Sequence, residues 1–152
     1  MAGRILAIDF GLKRIGLALS DGLGITAQGL PTLERTRLRD DLQHIEGLVE
    51  EHSVERVILG NPIGNSGRET SMSKHVAGFA AKLRDRLRCS VELWDERLTS
   101  VEANRMLRDS GISIAKRRKA TDRVAATLLL QSYMGFCANE RARNQAPGTD
   151  EP

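Results

Sequence analysis

The stretch of sequence that decides the fold is RILAIDFGLKRIGLALS, residues 4–20. Its opening part, from Arg4 to Asp9, is a compact apolar run that is typical of a buried central strand. Beyond Gly11, residues 14–20 form a second apolar run, and residues 25–30 predict a third strand. Short connections between consecutive strands favour antiparallel pairing. This part of the chain therefore predicts an antiparallel meander of three strands.

The rest of the chain alternates helical and strand patterns. The predicted elements are, in order, a helix with its apolar stripe from Leu38 to Val49, a strand at 56–60, a helix from Val76 to Leu87, a strand at 91–96, and helices at 100–111 and 121–138. The order βββαβαβαα predicts an α/β fold with a five-stranded mixed sheet flanked by helices. We expect strands 1–3 to be antiparallel and strands 1, 4 and 5 to be parallel, because the two central helices supply the required crossovers.

The chain of 152 residues has the usual size of one domain. We expect this domain to occupy residues 1–138 and a polar, disordered tail to occupy residues 139–152. No apolar run is long enough to span a membrane, and the amino terminus lacks the apolar segment of a secretory signal. Cys89 and Cys137 lie far apart and form no C-x-x-C motif. The sequence therefore predicts a cytoplasmic protein with two free thiols.

Positive charge is concentrated between residues 97 and 123. This segment holds eight bases against three acids; the bases are Arg97, Arg105, Arg108, Lys116, Arg117, Arg118, Lys119 and Arg123. Such a patch suits a polyanion, because each phosphate contact releases condensed counterions. A solvated basic helix face explains the charge pattern equally well. Aromatic residues are only 3% of the chain, so a base-stacking platform is poorly supported.

Two acidic residues stand at the ends of predicted strands. Asp9 ends the first strand, where Ile5 and Ala7 share its face because strand side chains alternate. Glu96 ends the fifth strand and shares a face with Trp94. If these strands are parallel, both acids emerge at the carboxyl edge of the sheet, where open α/β sheets build their sites.

A third acid, Asp122, precedes the apolar stripe of the final helix. That stripe consists of Ala125, Ala126, Leu129, Tyr133 and Phe136. Steps of three and four residues back from the stripe reach Asp122, and a carboxylate on an inward face has to be paired, protonated or bound to metal. The two small alanines would let the helix approach the sheet and bring Asp122 towards the other acids.

Each acid also has a purely structural interpretation. Asp9 fits a turn residue before Gly11, Glu96 an ion pair with Arg97, and Asp122 an acid favoured by the helix dipole. Taken together, three such acids converging from separate elements would repel one another unless a cation held them.

The nature of the ligands favours Mg²⁺ or Mn²⁺. Clustered carboxylates without matching His or Cys ligands suit these hard cations, and His44, His52 and His75 lack the spacing of a zinc site. Beside a basic patch, such a centre indicates phosphodiester chemistry, in which a two-metal site activates water and stabilises the leaving oxygen.

Three motifs in order resemble those of the YqgF/RuvX family. Residues 9–18, DFGLKRIGLA, are similar to its D-x-G-x-K-R-x-G-x-A signature. Residues 95–99, DERLT, match its D-E-R-x-T segment, and residues 119–126, KATDRVAA, resemble K-x-x-D-x-x-A-A. The resemblance covers roughly residues 4–133, and three spaced motifs are far more specific than a lone D-x-G.

The resemblance implies an RNase H-like fold with an acidic triad at Asp9, Glu96 and Asp122. It also implies a bacterial nuclease that matures the 5′ end of pre-16S rRNA, with Holliday junction resolution as the alternative. Precursor rRNA, DNA junctions and ribosomal particles are the partners that follow from it, and both a monomer and a homodimer remain open. The chain departs from the family pattern at Gly60-Asn61-Pro62 and Asn65-Ser66-Gly67, where G-L-P and an N-x-D-G-like stretch are usual, and at Thr99-Ser100, where T-T is usual.

Four basic residues beside the acids are candidates for phosphate contacts. They are Lys13, Arg14, Arg97 and Lys119. The alternative is that Arg14 and Arg97 mainly balance the charge of the acid cluster.

Two other classes of protein compete with a nuclease. Sugar kinases and actin-like ATPases share the D-x-G hairpin, but they need a second domain and a second phosphate motif for which 152 residues leave no room. A non-catalytic RNA-binding or ribosome-assembly module is the stronger rival. A module that only binds has no need of three buried carboxylates.

Overall fold

The computed structural model describes residues 3–62, 70–95 and 114–145, and within the last range it describes the side chains at 124–138 and 140–142. In this part of the chain, five strands and three helices are formed. They are β1 (Arg4–Phe10), β2 (Arg14–Ser20), β3 (Ala27–Glu34), α1 (Leu38–Glu51), β4 (Val54–Asn61), α2 (Ser71–Arg86), β5 (Ser90–Asp95) and α3 (Ile114–Gln145). The helix predicted at residues 100–111 and the loop at 63–67 lie outside the described residues.

The strands form one mixed sheet with the order β3-β2-β1-β4-β5. β1 pairs antiparallel with β2, and β2 pairs antiparallel with β3. β4 pairs parallel with both β1 and β5. The predicted five-stranded mixed sheet is therefore confirmed, with β1 at its centre.

The two faces of the sheet carry separate hydrophobic clusters, because side chains alternate along each strand. The α1/α2 face holds Leu6, Ile8, Leu17 and Leu59 among its buried residues, packed against α1 and α2. The α3 face consists of the buried residues Ala7, Ala18, Ile58, Ala126, Leu129, Leu130, Tyr133 and Met134. The division follows from the sequence of β1, in which even-numbered residues face α1 and α2 and odd-numbered residues face α3.

β3 begins two residues later than predicted, because an aspartate-stabilised loop precedes it. The Oδ1 atom of Asp21 accepts hydrogen bonds from the backbone N–H groups of Ile25, at 2.7 Å, and Thr26, at 3.3 Å. Gly24 has a φ of 72°, which glycine adopts without steric cost. The Ile25 hydrogen bond, followed by weaker ones nearby, lowers the pKa of Asp21.

β3 also extends further than predicted and runs through Pro31 to Glu34. A proline has no backbone N–H to donate, so within a sheet it is confined to edge strands and bulges. β3 is an edge strand, and its register with β2 shifts between Ile15 and Leu17. Pro31 lies at this shift, opposite Gly16. It therefore stands both in an edge strand and at an irregularity of the pairing, the two places where a sheet tolerates proline.

α3 is longer than the predicted helix at both ends. It runs from Ile114 to Gln145 rather than from 121 to 138. The added segments, residues 114–120 and 139–145, contain neither Gly nor Pro to stop a helix. Residues 139–145 are accordingly helical instead of forming the start of the predicted tail, and residues 146–152 lie outside the described part.

Neither a membrane-spanning helix nor a disulfide is found in the part of the chain that the structure describes. Its helices are too short or too polar to cross a bilayer. Cys89 and Cys137 are free, half-buried thiols, as predicted. Burial raises the pKa of Cys89.

Candidate active site

The carboxyl ends of the parallel strands β1, β4 and β5 meet at one edge of the sheet. Asp9 is the penultimate residue of β1, and Asp95 is the last residue of β5. Asp9 lies opposite Gly16 of β2, and the pairing of Ile8 with Leu59 puts Gly60 of β4 beside it on the other flank. The predicted emergence of Asp9 at the carboxyl edge is therefore confirmed.

Asp9 lies on the α3 face of the sheet. Its neighbours on that face of β1 are Ala7, which is fully buried, and Ile5, which packs against the same cluster. Asp9 itself is half-buried. A carboxylate removed this far from water has to be compensated by hydrogen bonds, opposite charge or a cation.

α3 runs opposite to the parallel strands. Its carboxyl-terminal half, including Met134, Cys137 and Arg141, lines a cavity together with Gly3 and Glu55 at the amino edge of the sheet. Ala126 and Leu129, nearer the start of the helix, pack against the middle of the sheet. The amino-terminal part of α3 is consequently directed towards the carboxyl edge, where Asp9 lies.

Two of the predicted site residues, Lys119 and Asp122, belong to α3, but their side chains are outside the described part. Asp122 is four residues before Ala126, which is fully buried against the sheet. The predicted stripe is confirmed at Ala126, Leu129 and Tyr133, whereas Phe136 is 49% exposed.

Glu96 and Arg97 lie outside the described residues. The described part of β5 ends at Asp95, the residue immediately before Glu96. Trp94 packs on the α3 face, against Tyr133 and Phe136. Among the described side chains there is no cluster of three His, Cys, Asp or Glu that could hold a metal ion. Since Glu96 and Asp122 are not among those side chains, the acidic triad stays a prediction.

Lys13 and Arg14 follow Asp9 across a tight turn. A Cβ atom at Gly11 would lie 2.5 Å from the backbone oxygen of Arg14, so only glycine fits there. Lys13 is exposed on the turn. Arg14, half-buried, begins β2 opposite Glu34 of β3. The turn thus brings two bases next to the end of β1, as the sequence predicts.

Sequence reasoning missed one buried charged pair near this turn. Asp41, in the first turn of α1, is 1% exposed, and its Oδ2 atom accepts a hydrogen bond of 2.9 Å from Nε of Arg35. An acid in the first helical turn was visible in the sequence, but Asp40 and Asp41 both fit that description. Only the fold shows which of the two turns inward.

A second polar cluster lies on the α3 face, away from the carboxyl edge. Nη1 of Arg56 donates a hydrogen bond of 2.5 Å to the hydroxyl of Tyr133, and Nε of Arg56 lies 3.2 Å from Oε2 of Glu92. Burial raises the pKa of Tyr133 to about 12, so its hydroxyl stays protonated at neutral pH. These contacts fix α3 on β4 and β5.

The sequence matches a known family model and curated relatives over most of its length. The family model described as RuvX, Holliday junction resolvase, matches residues 3–135. A protein of Koribacter versatilis named "Putative pre-16S rRNA nuclease" is 49% identical over 132 residues, covering 87% of this chain and 86% of the relative. A protein of Heliobacterium modesticaldum with the same name is 40% identical over 148 residues, covering 97% and 99%.

Solved structures of junction resolvases share the fold. The fowlpox virus resolvase in complex with Holliday junction DNA has a TM-score of 0.56 at 14% identity, covering 88% of this chain and 98% of that chain. RuvC of T. thermophilus in complex with a Holliday junction has a TM-score of 0.51 at 15% identity, covering 88% and 96%. At such identities the likeness concerns the fold, and the predicted RNase H-like fold is confirmed.

Proposed function

Because the chain belongs to the RuvX family of Holliday junction resolvases, we propose that it hydrolyses phosphodiester bonds with divalent cations held by Asp9, Glu96 and Asp122. The chain is a nuclease of this family, and its partner is accordingly nucleic acid. The curated relatives point to pre-16S rRNA as the substrate. Its cleavage would take place on precursors of ribosomal particles in the cytoplasm.

The observation that carries the proposal is the half-buried Asp9 at the carboxyl edge of the α3 face. Tyr133 of α3 contacts Arg56, which is paired with Ile5 of β1. From Ile5 to Asp9 the strand advances four residues, about 13 Å. From Tyr133 back to Asp122 the helix advances eleven residues, about 16 Å. The two distances are similar and run in the same direction along the sheet. This similarity supports the proposal that Asp9 and Asp122 lie at the same level of the sheet.

The helical period supports the same pairing. Ala126, Leu129, Tyr133 and Cys137 all pack in the α3-face cluster, and Asp122 continues their spacing by one turn towards the amino terminus. Glu96 follows Trp94 by two residues, so an extended chain would carry it on the same face. We therefore assign all three acids to one centre.

The donor set fits a hard cation. Asp9 offers carboxylate oxygens, whereas His44 and His75 are exposed on α1 and α2, which pack on the opposite face of the sheet. Mg²⁺ or Mn²⁺ bound there, in a two-metal arrangement, would lower the pKa of the attacking water and stabilise the leaving oxygen. The carboxylates would hold the cations, and the half-buried position of Asp9 would limit competition from bulk water.

The basic residues would bind the substrate backbone. Lys13 is exposed beside the end of β1, and Arg14, Arg97 and Lys119 complete the proposed set. Their role is to hold phosphates in line with the acidic centre, as charge-assisted hydrogen bonds do. Charge complementarity alone makes such binding sensitive to salt, because counterions are released.

A second candidate substrate is a four-way DNA junction. The likeness of the fold to two resolvases solved with junction DNA favours it. The two candidates share the chemistry of the scissile bond and differ in the shape of the nucleic acid. A resolvase acting on two strands would also need a second copy of the chain.

The decisive experiment compares cleavage of a pre-16S rRNA fragment and a four-way DNA junction. Wild type and Asp9→Ala are assayed with Mg²⁺, with Mn²⁺ and with a chelator. We expect metal-dependent cutting by the wild type, and a loss of about a thousandfold in Asp9→Ala, since several kcal/mol of transition-state stabilisation is removed.

The matched control is Asp85→Ala, which removes an exposed carboxylate from α2 and should leave cutting unchanged. Tight binding of either substrate without any cutting would overturn the nuclease mechanism in favour of a binding module. The product map from the two substrates decides between RNA maturation and junction resolution, and between endo- and exonucleolytic cleavage.

A further inference from the structure

A buried carboxylate anchors the segment that connects β3 to α1. Asp41 is 1% exposed, and both of its oxygens have partners. Oδ2 accepts from Nε of Arg35 at 2.9 Å, and Oδ1 accepts from the backbone N–H of Thr36 at 3.1 Å. A buried charge is tolerated only with such pairing. Arg35 is therefore held in one orientation by Asp41.

Arg35 also contacts the tight turn that follows Asp9. Its backbone N–H donates to the carbonyl of Lys13 at 2.9 Å, and its Nη1 donates to the carbonyl of Gly11 at 3.4 Å. Its guanidinium carbon lies 4.7 Å from the centre of the Phe10 ring. Arg35 thus contacts the chain before, within and at the end of the turn.

The turn has little packing of its own. Leu12 is 58% exposed, and Lys13 is exposed as well. Gly11 is required by sterics, but a glycine adds conformational freedom rather than order. Arg35 therefore connects this turn to Asp41, which lies in the first turn of α1.

We propose that Arg35, oriented by Asp41, is a positioning residue for the nuclease reaction. It fixes the turn so that Lys13 meets a substrate phosphate next to the cation centre at Asp9. The inference rests on the proposed function, because it assigns Lys13 to phosphate binding. Arg35 acts through the turn, since its own side chain is 17% exposed and is committed to Asp41 and Gly11.

The test replaces the pair without leaving a buried charge alone. In Arg35→Met with Asp41→Leu, two apolar side chains of similar volume replace the ion pair, a change that cores often tolerate. The turn loses the side-chain tether. We expect KM for the cleaved nucleic acid to rise by about ten- to a hundredfold, the range that a small misplacement of a binding group produces. Arg35→Lys keeps the positive charge but loses the planar guanidinium group, so its KM should lie between that of this variant and that of the wild type.

A double-mutant cycle with Lys13→Ala separates positioning from stability. If Arg35 acts through Lys13, the paired substitution should raise KM far less in the Lys13→Ala background than in the wild type. Equal factors in both backgrounds, or a lowered Tm with unchanged KM, would overturn the proposal.

The matched control is an arginine contact at the other end of the sheet. Nε of Arg84 donates to the backbone carbonyl of Val91, near the start of β5, at 3.1 Å, and Arg84→Met should alter Tm while leaving KM as in the wild type. If the wild type cuts neither substrate, the proposed function fails. The same cycle, measured as Kd for the RNA fragment by fluorescence anisotropy, still decides the role of Arg35.

Discussion

The two faces of the sheet are built from different residues. Among the described residues, the α1/α2 face is filled with Leu, Ile, Val and Phe and buries a single alanine, Ala80. On the α3 face, three of the eight buried residues described are alanines, and the half-buried Asp9 shares the strand with one of them, Ala7.

The difference indicates a division of labour. Large aliphatic side chains bury the most apolar area, which is the main source of folding free energy. Small side chains bury less but allow a helix to approach the sheet closely. We infer that the α1/α2 face supplies most of the stability, whereas the α3 face keeps its helix near the acids of the proposed centre.

The largest effect should come from truncating the α1/α2 face. Leu6 is fully buried there, and Leu6→Ala should lower the free energy of unfolding by about 2–5 kcal/mol, since a cavity remains. Denaturant titration measures the loss, and nuclease activity per folded molecule should stay at the wild-type level. A loss of stability below about 1 kcal/mol would contradict the inference that the α1/α2 face supplies most of the stability.

The second-largest effect should come from replacing Asp122 of α3. Asp122→Asn should weaken cation binding and lower cleavage by about a hundredfold, or about 2.7 kcal/mol. Its thermal stability should be retained or raised, because repulsion among carboxylates is relieved. Metal titration and a melting curve on the same sample measure both. Asp122 would be a structural acid if stability fell sharply with cation affinity unchanged.

An intermediate effect should follow from enlarging a small residue on the α3 face. Ala126 is fully buried, and Ala126→Leu should cost about 1–3 kcal/mol through overpacking while also lowering cleavage, since α3 is pushed from the sheet. Ala125→Leu is the matched control, because Ala125 is only half-buried. Equal behaviour of the two variants would argue against close helix packing as the reason for the alanines.

The smallest effect should be a gain in stability. The Oδ1 atom of Asn61, at the end of β4, is buried and has no hydrogen-bond partner in the described part. Asn61 alternates with Val57 and Leu59 of the α1/α2 face, so Asn61→Leu should raise the free energy of unfolding by about 1 kcal/mol. A loss instead would mean that the folded state needs the amide.

The sheet and one part of the site could be predicted from sequence. β1, β2 and β4 each contain an apolar run between clear breaks, and the alternation along β1 correctly assigned Asp9 to the face shared with Ala7. Period and spacing carry that information directly.

The remaining features depend on contacts that no local pattern encodes. The start of β3 is set by the hydrogen bonds of Asp21, and the inward turn of Asp41 by its pairing with Arg35. Both involve side chains that fit several conformations equally well before the fold exists. The joint position of Glu96 and Asp122 stays a prediction for the same reason, since it requires long-range packing.

The proline in the outer strand has a consequence for how this molecule meets others. The free side of β3 would otherwise present an unbroken row of donors and acceptors, on which a strand of a second molecule could grow. Pro31 interrupts the regular backbone of this strand because it has no N–H to donate, and the register with β2 shifts at the same place. Copies of the chain are thereby discouraged from joining sheet to sheet along β3.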